Sequence, residues 1–345
     1  MTHRLCFISR NYRGVESSGN KAKTDNEATL RQMGAVNLGL PTTYYNNKVA
    51  TFFLDLAGVV KSFFCMQRGD VLLLQYPVKK YFSLICRVAR WRGVRPVALI
   101  HDLGSMRRKR LSVRHEIRRL SNAEYIIASN ATMAQWLRDQ GLQRPVGALG
   151  LFDYRSQAVA PLRNDSVPSI PSLVYAGILA TRKNTFLLEM CQEASPHYRL
   201  DVYGNRDGLP GLSESALVRM HDFMPAEDFI AGVEGDFGLV WDGDSVDSCT
   251  GNFGEYLRWN SPHKVSFYLR AGLPIIIWSE AALAPIVAEE GIGLCIRSLR
   301  ELDSLLPAIT PEQMQQMRHN VQRISDKLAR GGFLRDALDR CVSHT

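Results

Sequence analysis

Short apolar runs separated by segments of helical length recur along almost the whole of this 345-residue chain. That rhythm constrains the fold more than any single motif. In the first half, residues 5–9, 35–40, 71–76, 96–100, 125–129 and 146–152 are runs of strand length. Helical segments lie between them, such as 26–33, which Gly34 would stop, and 131–140, which Gly141 would stop. Strands buried on both faces read as continuous apolar runs, so the alternation predicts a parallel sheet with helices on both faces.

A second series follows, with strands expected at 173–179, 199–203, 237–241, 273–278 and 293–296. Helices are expected at 185–193, 226–233, 262–271, 281–290 and 311–330. Between the two series, over 153–171, periodicity fails and Pro161, Pro168 and Pro171 cluster with serines, the composition of a linker. The reading is α/β, with two doubly wound, Rossmann-like domains over 1–155 and 172–330 facing a central cleft. A C-terminal helix over 331–345 would pack back on the first domain. In such sheets ligands bind beyond the carboxyl ends of the strands.

Hydrophobic content of 46% and charged content of 22% are those of a folded domain protein. No run of eighteen apolar residues occurs, so no transmembrane helix is expected, and the start lacks the apolar core of a signal peptide. Seven cysteines without a C-x-x-C pair argue against a disulfide framework or a zinc site and for a reducing cytoplasm. The net charge of +8 is concentrated. From Lys79 to Arg119 thirteen basic residues, Arg107-Arg108-Lys109-Arg110 among them, face two acids, Asp102 and Glu116, a local excess of eleven positive charges. Such a region attracts phosphate-bearing partners, an anionic membrane surface among them.

The candidate chemistry lies at strand ends. In Asn260-Ser261-Pro262-His263-Lys264, Ser261 is placed to N-cap a helix and Pro262 suits its first position, while Gly272 suits a left-handed C-cap before the strand Ile275-Ile276-Ile277-Trp278. Lys264 then falls in the first turn, where the helix dipole disfavours a cation unless an anion binds beside it. Arg182 and Lys183 follow Gly177 at the end of another strand, and with His263 and Lys264 they read as a cationic pocket for a diphosphate. Tyr203 closes the neighbouring strand and joins that pocket. The polar run Asp242-Gly243-Asp244, continuing to Thr250 and Gly251, reads as a loop contacting sugar or ribose hydroxyls rather than as a metal site. In the first domain Ile100-His101-Asp102 ends a strand, and either His101 or Asp102 could take a proton from an incoming hydroxyl. Gly19, Asn20 and Lys21 form a candidate acceptor or pyrophosphate loop. The dinucleotide G-x-G-x-x-G and the P-loop signatures are both missing, which disfavours nicotinamide, flavin and P-loop enzymes.

Gly19-Asn20-Lys21-Ala22, Ile100-His101-Asp102, Phe237-Gly238-Leu239-Val240-Trp241-Asp242-Gly243, Gly254-Glu255-Tyr256-Leu257 and Asn260-Ser261-Pro262-His263-Lys264 together resemble a bacterial family of GT-B glycosyltransferases. That family contains β-1,6-galactofuranosyltransferases of O-antigen assembly and glucosyltransferases that extend GlcNAc on serine-rich adhesins. The resemblance runs from about residue 5 to residue 340 and is nearer the galactofuranosyl branch. It implies a UDP-sugar donor held by the second domain, an acceptor held by the first, and inversion at the anomeric carbon with no cofactor and no obligatory metal.

The resulting expectation is an inverting enzyme that moves galactofuranose from UDP-galactofuranose, or another UDP-hexose, to a lipid-linked saccharide in lipopolysaccharide or other surface-polysaccharide synthesis. It would act peripherally on the inner face of the inner membrane, and a homo-oligomer is left open. The rival is a UDP-glucose-dependent enzyme extending a protein-linked glycan. A nucleic-acid-binding protein would need groove-reading or stacking motifs that the sequence lacks.

Overall fold

The computed structural model describes residues 4–12, 18–77, 81–107, 111–163, 168–193 and 195–343. The chain divides into two units, Met1–Asp153 with Arg330–Thr345, and Tyr154–Ala329. Unit 1 is built on strands β1 (Leu5–Phe7), β2 (Val36–Asn37), β3 (Val71–Tyr76), β4 (Arg95–Ile100), β5 (Tyr125–Ala128) and β6 (Val146–Ala148). Its helices before the crossing to unit 2 are α1 (Ser18–Gln32), α2 (Lys48–Cys65), α3 (Phe82–Trp91), α4 (Gly104–Arg107), α5 (Val113–Leu120) and α6 (Ala131–Asp139). Unit 2 carries β7 (Ser172–Ala176), β8 (Arg199–Tyr203), β9 (Val218–His221), β10 (Phe237–Val240), β11 (Ile275–Trp278) and β12 (Gly293–Ile296). Its helices are α7 (Thr181–Asn184), α8 (Phe186–Gln192), α9 (Ala226–Gly232), α10 (Gly251–Tyr256), α11 (His263–Arg270), α12 (Ala284–Glu289), α13 (Leu302–Leu305) and α14 (Pro311–Ala329). The last helix, α15 (Gly332–Ser343), belongs to unit 1.

Both sheets are parallel, with order β2-β1-β3-β4-β5-β6 in unit 1 and β12-β11-β10-β7-β8-β9 in unit 2. The second order is the Rossmann arrangement, with its topological switch between β7 and β10; in unit 1 the switch lies between β1 and β3. The central strands are largely apolar because helices cover both faces. Leu72, Leu74, Ala98, Ile100 and Ile126 join the buried core of unit 1, and Leu173, Leu239, Ile275, Ile276 and Ile277 are buried in unit 2. Each such aliphatic side chain contributes about 1.5–3 kcal/mol by leaving water.

Three expectations need correction. Helix α1 begins at Ser18, eight residues ahead of the apolar stretch, so Gly19, Asn20 and Lys21 form its first turn and not a loop. Strand β9, with the mixed sequence Val-Arg-Met-His, was not anticipated, because an edge strand buries only alternate side chains. The described residues just after Asp153, 154–163, are tied into unit 2. The Glu227 carboxylate accepts from the Ser156 hydroxyl and the Ala158 N–H, and Arg163 donates to the Val233 and Ala271 carbonyls. In unit 1 the buried Asp153 carboxylate accepts from the N–H groups of Phe333 and Leu334 at 3.1 and 2.9 Å, capping α15. That helix then packs on α1, β5 and β6.

Candidate active site

The carboxyl ends of β7 and β10 flank the switch point of unit 2, and the predicted donor residues gather there. Strand β7 is followed at once by Gly177, whose φ of +150° is open to glycine and strained for other residues. Its N–H donates to the Tyr203 carbonyl at 3.1 Å. On the other side, α11 opens with Pro262 in the cap position, so Ser261 stands one place too early to be the N-cap. Gly272, at φ +73°, ends the helix as expected: its N–H reaches Leu269 O while Leu273 N–H reaches Tyr268 O, a Schellman motif.

Lys264 is the second residue of α11, and its ammonium is the most unusual group in the unit. The side chain is partly covered, but Nζ itself is buried and has no hydrogen-bond partner among the described residues. It lies 3.6 Å from the centroid of the Tyr175 ring, a cation–π contact. A β-carbon on Gly177 would stand 3.7 Å from both Cε and Nζ. Burial, reinforced by the like charge of Lys183 and opposed by Asp242, lowers the ammonium from 10.5 to about 7. A buried cation without a partner among the described residues, at a helix N-terminus, has the chemistry that favours a neighbouring anion.

The surrounding groups hold this pocket in place. Asp242 bridges to Lys183 Nζ at 3.3 Å and accepts from the Tyr175 hydroxyl at 3.3 Å. Tyr175 in turn accepts a short hydrogen bond from Asn184, whose Oδ1 receives the Ala180 N–H. The β10 loop is also tied to α7 by Gly243 N–H donating to Lys183 O at 2.7 Å. Asp242 therefore positions the cation of Lys183 beside the Tyr175 hydroxyl. Asp244 likewise accepts from the Thr250 hydroxyl, and Gly251, at φ +69°, starts α10. Arg182 is exposed, its guanidinium 5.5 Å from the Phe253 ring centroid. Two predicted donor contacts are placed differently. The Tyr203 ring is buried in a stack with His221 at 4.2 Å, and it serves the pocket through its backbone carbonyl. His263 stacks on Tyr154 at 4.7 Å.

In unit 1 the end of β4 presents His101, stacked on Phe152 at 4.8 Å with the rings 10° apart. Its Nε2 meets Gln75 Oε1 at 2.9 Å. Gln75 Nε2 donates to Lys23 O, and Oε1 also accepts from Asn26, so this oxygen is an acceptor and His101 Nε2 is the donor. The neutral imidazole then carries its lone pair on Nδ1, the arrangement of an oriented base. Asp102 follows before α4, whose first N–H groups, from Gly104 and Ser105, are held by the buried Glu116 carboxylate at 2.9 and 2.8 Å. Glu116 also accepts from the Tyr76 hydroxyl, so it is an internal cap and does not offset the surface cations. Lys21 is paired with both oxygens of Asp25 at 2.7 Å, one helical turn along α1. Of the basic region, Arg87, Arg90, Arg92, Arg114 and Arg118 are exposed and Arg95 pairs with Glu124. Lys79, Lys80, Arg108, Lys109 and Arg110 lie outside the described residues.

Sequence reasoning missed Tyr175, Asn184, Gln75, Asn26 and Glu116. Buried strand tyrosines and amides carry no local signal. Only the neighbours they meet, far away in sequence, give them a role.

Residues 5–151 match the glucosyltransferase 3-like N-terminal domain, and residues 173–341 match the glucosyltransferase 3-like C-terminal domain. The β-1,6-galactofuranosyltransferase WbbI of Escherichia coli (strain K12) is 30% identical over 286 residues, 82% of each chain. Glucosyltransferase 3 of Streptococcus gordonii is 33% identical over 105 residues, 30% of each chain. The apo structure of the lipopolysaccharide outer core galactosyltransferase WaaB superposes with a TM-score of 0.55 at 12% identity, covering 98% of this chain and 99% of that one. With both of its domains matched and a relative alike over most of its length, the chain is a GT-B glycosyltransferase and belongs to the glucosyltransferase 3-like family.

Proposed function

We propose that the protein is an inverting glycosyltransferase that moves galactofuranose from UDP-galactofuranose to a lipid-linked saccharide during O-antigen or other surface-polysaccharide synthesis. The observation that carries the donor half is the buried Lys264 ammonium without a partner, at the start of α11 and beside Gly177. A UDP diphosphate there would gain this charge, Lys183, Arg182 and the α11 N–H groups, which together do the work of a metal on the leaving group. No cofactor or metal is then required. The similarity to WbbI over 82% of the chain supports galactofuranose as the donor sugar.

In the reaction, the acceptor hydroxyl gives its proton to the base as its oxygen bonds to the anomeric carbon from the face opposite the leaving group. The bond from that carbon to the diphosphate oxygen breaks, and UDP departs with the electron pair. The Gln75-oriented imidazole of His101 favours it as the base, with Asp102 the alternative. For the acceptor, the exposed cations Arg87, Arg90, Arg92, Arg114 and Arg118 support attachment to the anionic inner face of the membrane, where lipid-linked saccharides reside.

UDP release in the presence of a panel of UDP-sugars, with and without lipid-linked acceptors, tests this reading. Turnover selective for UDP-galactofuranose is expected. Selectivity for UDP-glucose with a glycosylated peptide would replace it with the reading that the likeness to Glucosyltransferase 3 supports. Unchanged UDP affinity in Lys264→Met would remove the diphosphate pocket.

A further inference from the structure

Helix α2 is built the wrong way round for a core helix. Its buried positions are Thr51, Gly58, Val59 and Ser62, small residues that let it lie close to unit 1. Its outward face carries the exposed Val49, Phe53, Val60 and Phe64 with the half-buried Leu56 among them, spaced four, three, four and four residues apart in chain order, which is one continuous stripe at helical period. Phe52 borders the stripe. Phe53 is 62% exposed and Phe64 81%. On the neighbouring helix α3, Trp91 is 84% exposed and Leu84 also faces solvent, and Trp91 lines a surface pocket with Met66, Arg68 and Arg92 just beyond the end of α2. Exposing this much aromatic surface to water is costly, so a chain that keeps it exposed has a partner for it.

Charge identifies that partner. Across both helices the one acid is Asp55, which accepts the Asn11 N–H. Lys48, Lys61, Arg68, Arg87, Arg90 and Arg92, all exposed, lie on or just beyond these two helices. A second copy docking through the same face would set these cations against their own equivalents, which is repulsive in a two-fold interface. An anionic surface with an apolar interior satisfies both features. No described helix is long and apolar enough to cross a membrane, and α2, 18 residues and about 27 Å long, would lie along one. We propose that α2 is an interfacial docking helix, which inserts its Phe53–Phe64 stripe and the α3 residue Trp91 among the headgroups of an anionic bilayer while the flanking cations engage lipid phosphates. This rests on the membrane attachment proposed above and locates it in a defined helix. It is independent of the donor chemistry.

The test uses the full chain with vesicles of phosphatidylcholine, alone or mixed with phosphatidylglycerol, and compares wild type with F53S/F64S. Both phenylalanines are exposed, and an unchanged far-UV circular dichroism spectrum and unfolding transition serve as the check that unit 1 of the variant is folded. Wild type is expected to sediment with the anionic vesicles, the double variant to lose at least tenfold in partitioning, and UDP affinity to stay the same. Bilayer-embedded brominated lipid should quench fluorescence in wild type and much less in W91F. Binding of the double variant equal to wild type would overturn the helix assignment and leave attachment to the basic residues alone. Failure of wild type to bind anionic vesicles at low salt would overturn both. Concentration-dependent self-association that F53S/F64S abolishes, without vesicle binding, would make the stripe an interface between copies. None of these outcomes bears on UDP-sugar turnover in solution, which tests the donor reading separately.

Discussion

The ammonium of Lys264 faces the ring of Tyr175 at 3.6 Å and meets no hydrogen-bond acceptor among the described residues. A π-face offsets part of the lost hydration of a cation but does not replace three hydrogen bonds. The folded protein therefore carries this charge at a loss until an anion arrives. Most of the predictions that follow come from this one relationship.

Lys264→Met should make the ligand-free protein more stable and the enzyme worse. Removing a buried donor that lacks a partner gains on the order of 1–3 kcal/mol, read as a higher Tm, while UDP binding loses roughly 1.5–3 kcal/mol by calorimetry. Arg182→Ala, at an exposed site, should weaken UDP by less, about 0.5–1.5 kcal/mol. A drop in Tm for Lys264→Met would show that the ammonium is satisfied in solution.

The pH dependence follows from the same group. Lys264 titrates at about 7 when folded against an ordinary 10.5, so between those values the unfolded chain holds the additional proton. Its contribution to stability therefore rises with pH across that window and is flat below it. A bound diphosphate returns the proton to the lysine, so UDP affinity should fall roughly tenfold per pH unit above about 7, with proton uptake on binding. Titrations in two buffers of different ionisation enthalpy measure the uptake. Lys264→Met should flatten the profile, and an unchanged slope in that variant would assign the dependence elsewhere.

Chelation should leave turnover intact, because the pocket's own cations neutralise the leaving group. Asp242→Asn, which loosens Lys183 and removes the carboxylate that accepts from Tyr175, should raise the KM for the donor. Loss of activity in EDTA with recovery on adding Mn²⁺ would instead recast Asp242 and Asp244 as metal ligands.

His101→Ala should lower kcat by roughly 10²–10⁴-fold with little change in UDP affinity, the expected cost of losing a general base. Gln75→Leu, which leaves the imidazole without its acceptor, should shift the acid limb of the kcat profile, a signature that simple destabilisation does not give. If Asp102→Asn is inactive while His101→Ala is not, the base is Asp102.

Glu116→Ala should cost about 2–4 kcal/mol, because it leaves the Gly104 and Ser105 N–H groups and the Tyr76 hydroxyl unpaired in a buried place. Chemical denaturation measures it directly.

How much of this was legible in the sequence depended on whether the signal was local. The parallel strands β3, β7 and β11 announced themselves because burial on both faces makes nearly every residue apolar. The helix α11 did so because proline, glycine and a first-turn cation mark its two ends. Strand β9 and the early turns of α1 carried no such mark, since an edge strand and a polar helix start resemble loops. Lys264 could be placed at a helix N-terminus from sequence, but its burial against Tyr175 depends on two β-α units meeting in space. For Lys21 the partner Asp25 is one helical turn away, and that pairing is legible only once the segment is known to be helical.

The hydrogen bonds from Phe333 and Leu334 to Asp153 fasten the departing and returning segments of the chain to each other. Everything from Tyr154 to Ala329 is thus a single uninterrupted insert, with both ends anchored at one point of its host. Such an insert can be exchanged as a cassette. A chimaera that keeps this chain's two flanking segments and takes the intervening residues from a relative would retain the Asp153 clasp, and neither junction would need to be redesigned.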